Sequence, residues 1–351
     1  MNKASTENII DISAKKYHST NTFKLIQGYE GFDSTSSHLI KGYLPANAFG
    51  VIYGASGSFK SFHALSWACA IATGKDWNNH KVTQSDVLYI AGEGGIGVPR
   101  RIKAWAIQHN LNQQITSLSR INHPVIMSRH EDVSALIQTM EDYQTQTKRK
   151  FGLLIIDTLA RCFGEACENK AEDMNAFIAA CDRIKAETEA TILVVHHSGK
   201  DSEKGARGSS ALRAACDFEY RIDREKGLTQ YHLTCTKAKD DKEPRPQSFD
   251  LTSHSICSDE DDDLVYSLSA SLLGSDFNPT MNKTLKKKRP GDATSFLLNE
   301  IKERVVLSRQ EARESYKNEG FNAQNFGRTL NRLIEQSSVE LTENDIIQQI
   351  K

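Results

Sequence analysis

Gly54-Ala55-Ser56-Gly57-Ser58-Phe59-Lys60-Ser61 is the stretch that decides how this chain is read. It follows a short apolar run, Phe49 to Tyr53, and opens into Phe62-His63-Ala64-Leu65-Ser66-Trp67-Ala68-Cys69-Ala70, which has helical character. Strand, glycine-rich turn, Lys-Ser and helix is the layout of a phosphate-binding P-loop. Small residues let consecutive backbone N–H groups turn inward around phosphate oxygens. The helix N-terminus adds partial positive charge at the same place. In such a loop, Gly54 to Phe62 hold the nucleotide, Lys60 reaches the β- and γ-phosphates of ATP, and the Ser61 hydroxyl ligates Mg²⁺. Phe59 stands where glycine normally precedes the lysine. Its side chain must point away from the phosphates, so it is expected against the sheet or the adenine side. Taken alone, the stretch leaves a chance glycine-rich turn open as the alternative.

Two carboxylates downstream weigh against chance. Asp86 to Ala91 reads as a short strand ending in Gly92-Glu93-Gly94-Gly95. A carboxylate at the C-terminal end of a strand lies where open α/β sheets bind ligands. Glu93 would polarise the water that attacks the γ-phosphate; an exposed loop glutamate is the alternative. Phe151-Gly152-Leu153-Leu154-Ile155-Ile156-Asp157 has the form of a Walker B strand, delivering Asp157 to the sheet rim as a ligand of Mg²⁺ or its waters. Thr191 to Val195 is the next buried strand and ends in His196-His197. Neighbours on a strand point to opposite faces, so the two histidines are poor joint metal ligands. His197, nearer the strand's end, is chosen to face the nucleotide. Helices are expected at Val98 to Asn110, where Arg100, Arg101 and Lys103 read as a solvated face, at Glu131 to Lys148 and at Ala171 to Glu187. The alternation of strands and helices argues for an α/β core with a mostly parallel sheet flanked by helices.

The second half changes character. Lys204 to Leu212 is a basic, glycine- and serine-rich loop entering a helix. Phe218 to Asp223, Tyr231 to Lys237 and Leu264 to Ser269 read as antiparallel strands at the sheet edge.

Together these segments resemble the RecA-like hexameric replicative helicases, and within them the RepA-type AAA-family ATPases of plasmids and phages. The carrying stretches are GASGSFKSF (54–62), LYIAGEGG (88–95), IIDTLARCFG (155–164), VVHHSGK (194–200), KGARGSSALRAA (204–215) and TKAKD (236–240). They span about residues 40 to 270 in the family's order. The resemblance implies a hexameric ring with ATP between subunits, Glu93 as catalytic base, Asp157 as Walker B acid and His197 as phosphate sensor. It places an arginine finger in the segment of Arg207, and a Lys and an Arg reaching into the neighbour's site at Lys237 and Lys239. Lysine at 239 lacks the bidentate fork of that arginine. Cationic charge supplied in trans would make hydrolysis depend on assembly. The alternatives are a basic loop touching DNA phosphates for Arg207 and an edge-strand lysine that blocks aggregation for Lys237.

Composition bounds the rest. The chain has 351 residues, 38% hydrophobic and 25% charged, with 44 basic and 45 acidic side chains. No global basic field announces nucleic acid, so any such contact is local. Seven scattered cysteines without a C-x-x-C pair, and a polar N-terminus, read as a cytoplasmic protein with reduced thiols. Residues 1–40 are expected as an N-terminal extension, 41–273 as the RecA-like ATPase core, 274–292 as a basic linker with Lys286-Lys287-Lys288-Arg289, and 293–351 as a small helical unit. In that unit Ser295 to Arg304, Ser308 to Lys317 and Asn322 to Gln336 read as helices. Ser338 to Leu341 reads as a wing, and Arg328 and Arg332 share one face, which leaves DNA binding, partner docking and ring packing open for this unit. The expected function is an ATP-driven motor on single-stranded DNA, a ring-shaped replicative helicase of a mobile element. A primase or initiator protein is a candidate partner. The alternatives are a RecA-fold ATPase that binds or loads DNA without unwinding, and a P-loop small-molecule kinase, which would show no DNA-stimulated turnover.

Overall fold

Short runs of Val, Ile and Leu build the centre of the molecule. A computed structural model describes residues 27–30, 38–93, 95, 97–164, 167–198, 210–224, 227–273, 290–304, 307–319, 321, 325–336, 338–342 and 345–349. A small hairpin, β1 (His38–Ile40) and β2 (Leu44–Pro45), precedes β3 (Phe49–Gly54) and α1 (Lys60–Thr73). Then come β4 (Asp86–Ala91), α2 (Gly97–His109), β5 (Leu118–Ile121), α3 (His130–Thr147), β6 (Phe151–Asp157), α4 (Leu159–Cys162), α5 (Ala171–Thr188) and β7 (Thr191–His197). The second half holds α6 (Ser210–Ala215), β8 (Phe218–Arg224), β9 (Tyr231–Ala238), β10 (Gln247–Ser258) and β11 (Leu264–Leu272).

Strands β3 to β11 form one nine-stranded sheet in the order β11-β10-β9-β8-β3-β7-β6-β4-β5. The six from β8 to β5 run parallel, and β9, β10 and β11 continue antiparallel. The central parallel strands β3, β4, β6 and β7 are buried on both faces, as helices on both sides require. In β6, Leu153 and Ile155 face one hydrophobic cluster with α1 and α2, while Leu154 and Ile156 face the other with α3 and α5. All four are fully buried. Each such side chain stabilises the fold by roughly 1.5–3 kcal/mol, enough to hold an acidic strand end in place.

Two expectations need correction, and one strand was not expected. Phe218–Arg224 is not an edge strand: β8 pairs parallel with β3 and lies inside the sheet. Its sequence is strand-like either way, and only tertiary pairing selects the direction. Leu39 and Ile40, placed in the extension, are buried in the core through β1. The 12-residue β10 carries Ser, Thr and His where a strand pattern would carry apolar residues; its outer half pairs with β11 as a two-stranded ribbon beyond β9.

The C-terminal residues have their own apolar cluster. It draws on α7 (Pro290–Arg304), β12 (Leu307–Ser308), α8 (Arg309–Asn318), α9 (Phe326–Glu335), β13 (Val339–Leu341) and β14 (Ile346–Gln349). The helix α7 begins inside the stretch read as linker, because proline at a first helical position gives up an N–H that has no partner there anyway. Ser308 and Glu311 form a reciprocal capping box at the start of α8. The three short strands join in the order β12-β14-β13. The basic run Lys286 to Arg289 lies outside the described residues. Among the described residues no helix is long and apolar enough to cross a membrane.

Candidate active site

The carboxyl ends of β3, β7, β6 and β4 lie side by side, and each carries one of the candidate residues. After β3 the chain must turn under the sheet edge with no room for a side chain: a Cβ on Gly54 would stand 2.3 Å from the Ile222 carbonyl oxygen. Gly57 and Phe59 both take left-handed backbone, each at φ 72°. That conformation explains why glycine is the usual residue at position 59. The Phe59 ring does point away from the loop, as expected. It packs against Phe62 and against Tyr231 of β9, with centroids 5.9 Å away in each case.

Lys60 opens α1 and is 5% exposed. Its ammonium donates to the loop's own carbonyls, Gly54 O at 3.1 Å and Ala55 O at 2.7 Å. Burial lowers its pKa from the ordinary 10.5 to about 8, with Asp157 and Glu93 holding it up against a larger drop.

Asp157, at the end of β6, is 7% exposed. Its Oδ2 accepts a 2.5 Å hydrogen bond from the Tyr89 hydroxyl on β4. Burial pushes its carboxyl pKa upward, while the Tyr89 and Ser61 hydroxyls pull it back down. His197 ends β7 half-buried, whereas His196 is fully buried one position earlier. Burial, then the Lys60 charge, depresses the His197 pKa and favours the neutral ring. Glu93, in the turn after β4, is 59% exposed and stands 3.9 Å from the Arg161 guanidinium.

Four buried polar atoms at this end of the sheet make no hydrogen bond among the described residues: Ser58 Oγ, Asp157 Oδ1, Thr158 Oγ1 and His197 Nδ1. Unsatisfied polar groups are costly in a folded protein unless a ligand completes them. An anion with an oxygen-ligated cation meets that demand. Asp157 Oδ1 and the Ser61 hydroxyl suit Mg²⁺, which takes a few protein oxygens and keeps its waters. Beside the loop, Ala55 to Ser58, Ile222 to Arg224 and Gly227 line a cavity of about 350 Å³.

Three residues without a motif join the site. Tyr89 fixes the Asp157 carboxylate. Arg101, read from helical spacing as a solvated residue, lies 4.3 Å over the Phe62 ring; burial raises the pKa of both Asp157 and Tyr89, and the Arg101 charge opposes part of that rise. Arg224, at the end of β8, donates to Gly57 O at 3.0 Å and to Leu228 O at 2.9 Å.

Lys237 does not join this group. On β9 it pairs in register with Glu219, toward the amino ends of the parallel strands. Its amine caps the last turn of α6, donating to Arg213 O at 2.8 Å and Ala214 O at 3.1 Å. Lys239 lies 3.5 Å from Asp217 at the same end. Arg207 lies outside the described residues, as do Lys200 and Lys204 in the same basic loop.

The AAA domain family matches residues 19–203 of the chain. No curated protein matched it. Among solved structures, the crystal structure of the RadB recombinase aligns with a TM-score of 0.43 and 13% identity, covering 59% of this chain and 88% of that one.

Proposed function

Because the chain belongs to the AAA domain family, we propose that it is a Mg²⁺-dependent ATPase that drives movement on single-stranded DNA, a ring-shaped helicase in which neighbouring subunits share each nucleotide. The observation that carries this reading is the gathering of Lys60, Asp157, His197 and Glu93 at adjacent strand ends, with unsatisfied oxygens between them. The Lys60 amine leaves the Gly54 and Ala55 carbonyls for the phosphates. Tyr89 holds one oxygen of Asp157 and thereby aims the other at the cation. Bound Mg²⁺ supplies charge neutralisation on the β- and γ-phosphates. Glu93 is exposed and loosely paired, so it is free to turn toward the attacking water. His197, kept neutral, has one ring nitrogen available to register the γ-phosphate. Arg207 and Lys237 act on the nucleotide of the next subunit in this reading. Lys237 sits too far down the sheet to serve its own loop.

The test is ATP turnover with and without single-stranded DNA, run beside a strand-displacement assay. Turnover that rises with DNA and falls with salt, together with strand displacement, is the expected result. Stimulation without displacement would make the chain a DNA-loading ATPase. A flat response to DNA at low salt would remove the motor reading.

A further inference from the structure

Helix α9 has two faces of opposite character. Phe326, Thr329, Leu330 and Leu333 are buried at i, i+3, i+4 and i+7, and the Tyr316 hydroxyl of α8 bonds Thr329 Oγ1 at 3.0 Å. Arg328, Asn331, Arg332 and Glu335 are exposed on the other side. We propose that the face carrying Arg328, Asn331 and Arg332 binds duplex DNA, as a site separate from the ATPase centre.

The first argument is topology. Helix, strand, helix, helix and a two-stranded hairpin follow in order, and the first strand closes the sheet beside the last, β12-β14-β13. This winged helix-turn-helix seats its third helix on the first and against Tyr316 of the second, and turns the opposite face outward, at a width that enters the major groove.

The second argument is energetic. Arg328 stands in the first turn of α9, where the helix dipole disfavours a cation, and Arg332 follows at i+4, where a like charge repels it. Each effect is a small destabilisation of the helix. No acid pairs with either arginine among the described residues. Elsewhere in the unit charges are placed for stability: Glu311 caps α8, Glu300 pairs with Arg304 at 3.0 Å, and Asp345 with Arg309 at 3.5 Å. The α9 face thus sets two cations one turn apart with no acid bonded to either among the described residues, and a polyanion removes that repulsion.

The third argument is chemical. Guanidinium forks suit phosphates and the O6/N7 edge of guanine, and an asparagine amide suits the N6/N7 edge of adenine. The exposed face has no large apolar side chain to favour a protein groove or a lipid surface. This inference stands apart from the single-strand reading of the core, since it concerns a different surface and a different form of DNA.

The experiment is fluorescence anisotropy with the full chain, a labelled 30-bp duplex of random sequence and a 30-nt single strand, over about 0.05–0.2 M salt. Wild-type chain should bind the duplex. R328Q/R332Q should weaken that binding at least about tenfold, and the slope of log affinity against log salt should fall by about 1.8, the share of two phosphate contacts. Single-strand affinity and basal ATP turnover should not change. E335K, which adds a cation to the same face without touching the core, should tighten duplex binding at least about threefold. The proposal is overturned by any of three results. These are a wild-type chain that does not bind duplex, unchanged duplex affinity in both variants, and an equal loss for single strands, which would assign the face to the motor's own track.

Discussion

The Arg224 guanidinium lies 4.1 Å over the centre of the Phe59 ring and donates to the Gly57 carbonyl oxygen of the same loop. One side chain thus holds both left-handed positions of the P-loop. A non-glycine residue at φ 72° costs on the order of 1–2 kcal/mol. The cation–π contact offsets part of that, by about 0.5–1 kcal/mol at an exposed site. Arg224 is therefore matched to phenylalanine at 59.

Arg224→Ala should weaken Mg·ATP binding about five- to thirtyfold, the equivalent of 1–2 kcal/mol. In a Phe59→Gly background glycine adopts the same backbone unaided, and the loss should shrink to less than about threefold. Binding measured by calorimetry over the four-protein cycle decides. Equal losses in both backgrounds would mean that Arg224 touches the nucleotide itself.

Lys60 sets a pH dependence. Its amine must be charged to hold phosphate, and without nucleotide it titrates near 8. Mg·ATP affinity should be flat below that pH and weaken toward about tenfold per unit above it. Binding near pH 8 should take up a proton, visible as a heat that varies with buffer ionisation enthalpy. The linkage for folding has the opposite direction. Between about 8 and 10.5 the unfolded chain keeps the proton that the folded chain has lost, so this group adds stability as pH rises through that window. Lys60→Ala should abolish hydrolysis and remove both effects.

Glu93→Gln should still bind Mg·ATP and hydrolyse it at least about a hundredfold more slowly, the usual size of a lost general base. Single-turnover rates would show this. A variant that keeps most of its rate would place the base elsewhere.

Tyr89→Phe removes the hydroxyl that fixes Asp157 without changing ring volume. The Mg²⁺ concentration for half-maximal turnover should rise about ten- to a hundredfold, the range for a lost outer-shell partner. An unchanged Mg²⁺ requirement with a lowered melting temperature would make Tyr89 purely structural.

Subunit sharing makes a demand on mixtures. Lys60→Ala and Arg207→Ala proteins should each be inactive, and their mixture should regain part of the ATPase, because some interfaces pair an intact loop with an intact finger. Lys237→Ala tests two roles at once. The Lys237 amine caps α6, directly after the Arg207 loop, so its loss should mimic Arg207→Ala even if Lys237 never reaches a phosphate. Light scattering should first show each variant assembled. Co-assembled mixtures that regain nothing would end the trans reading.

Four parallel strands, β3, β4, β6 and β7, were legible because they are apolar runs leading into Gly, Glu, Asp or His; β5, a four-residue edge strand with Ser and Arg, and the parallel direction of β8 were not. The ring of Phe59 could be placed as well, since a side chain beside phosphates has one way to point. What stayed hidden depends on long separations. Tyr89 meets Asp157 across 68 residues, and Arg224 meets Gly57 across 167; neither pair leaves a local pattern. Arg101 sits on an ordinary amphipathic helix, and only the packing of α2 against α1 brings it over Phe62. Strand β10 was hidden for another reason. Its outer half lies beyond the main sheet, so no face of it needs a continuous apolar stripe.

The antiparallel pair β8–β9 runs the depth of the sheet, from Arg224 opposite Tyr231 at the loop end to Phe218 opposite Ala238 at the other. Seven residues of strand make a strut of about 23 Å. Its one irregularity, between Glu219 and Tyr220, falls beside Lys237. Hydrogen-bonded strands do not stretch, so the member is stiff along its length and its compliance is gathered at the far joint. Arg224 at the P-loop and Lys237 under α6 therefore stand at the two ends of one stiff member, as the two joints of a push-rod do.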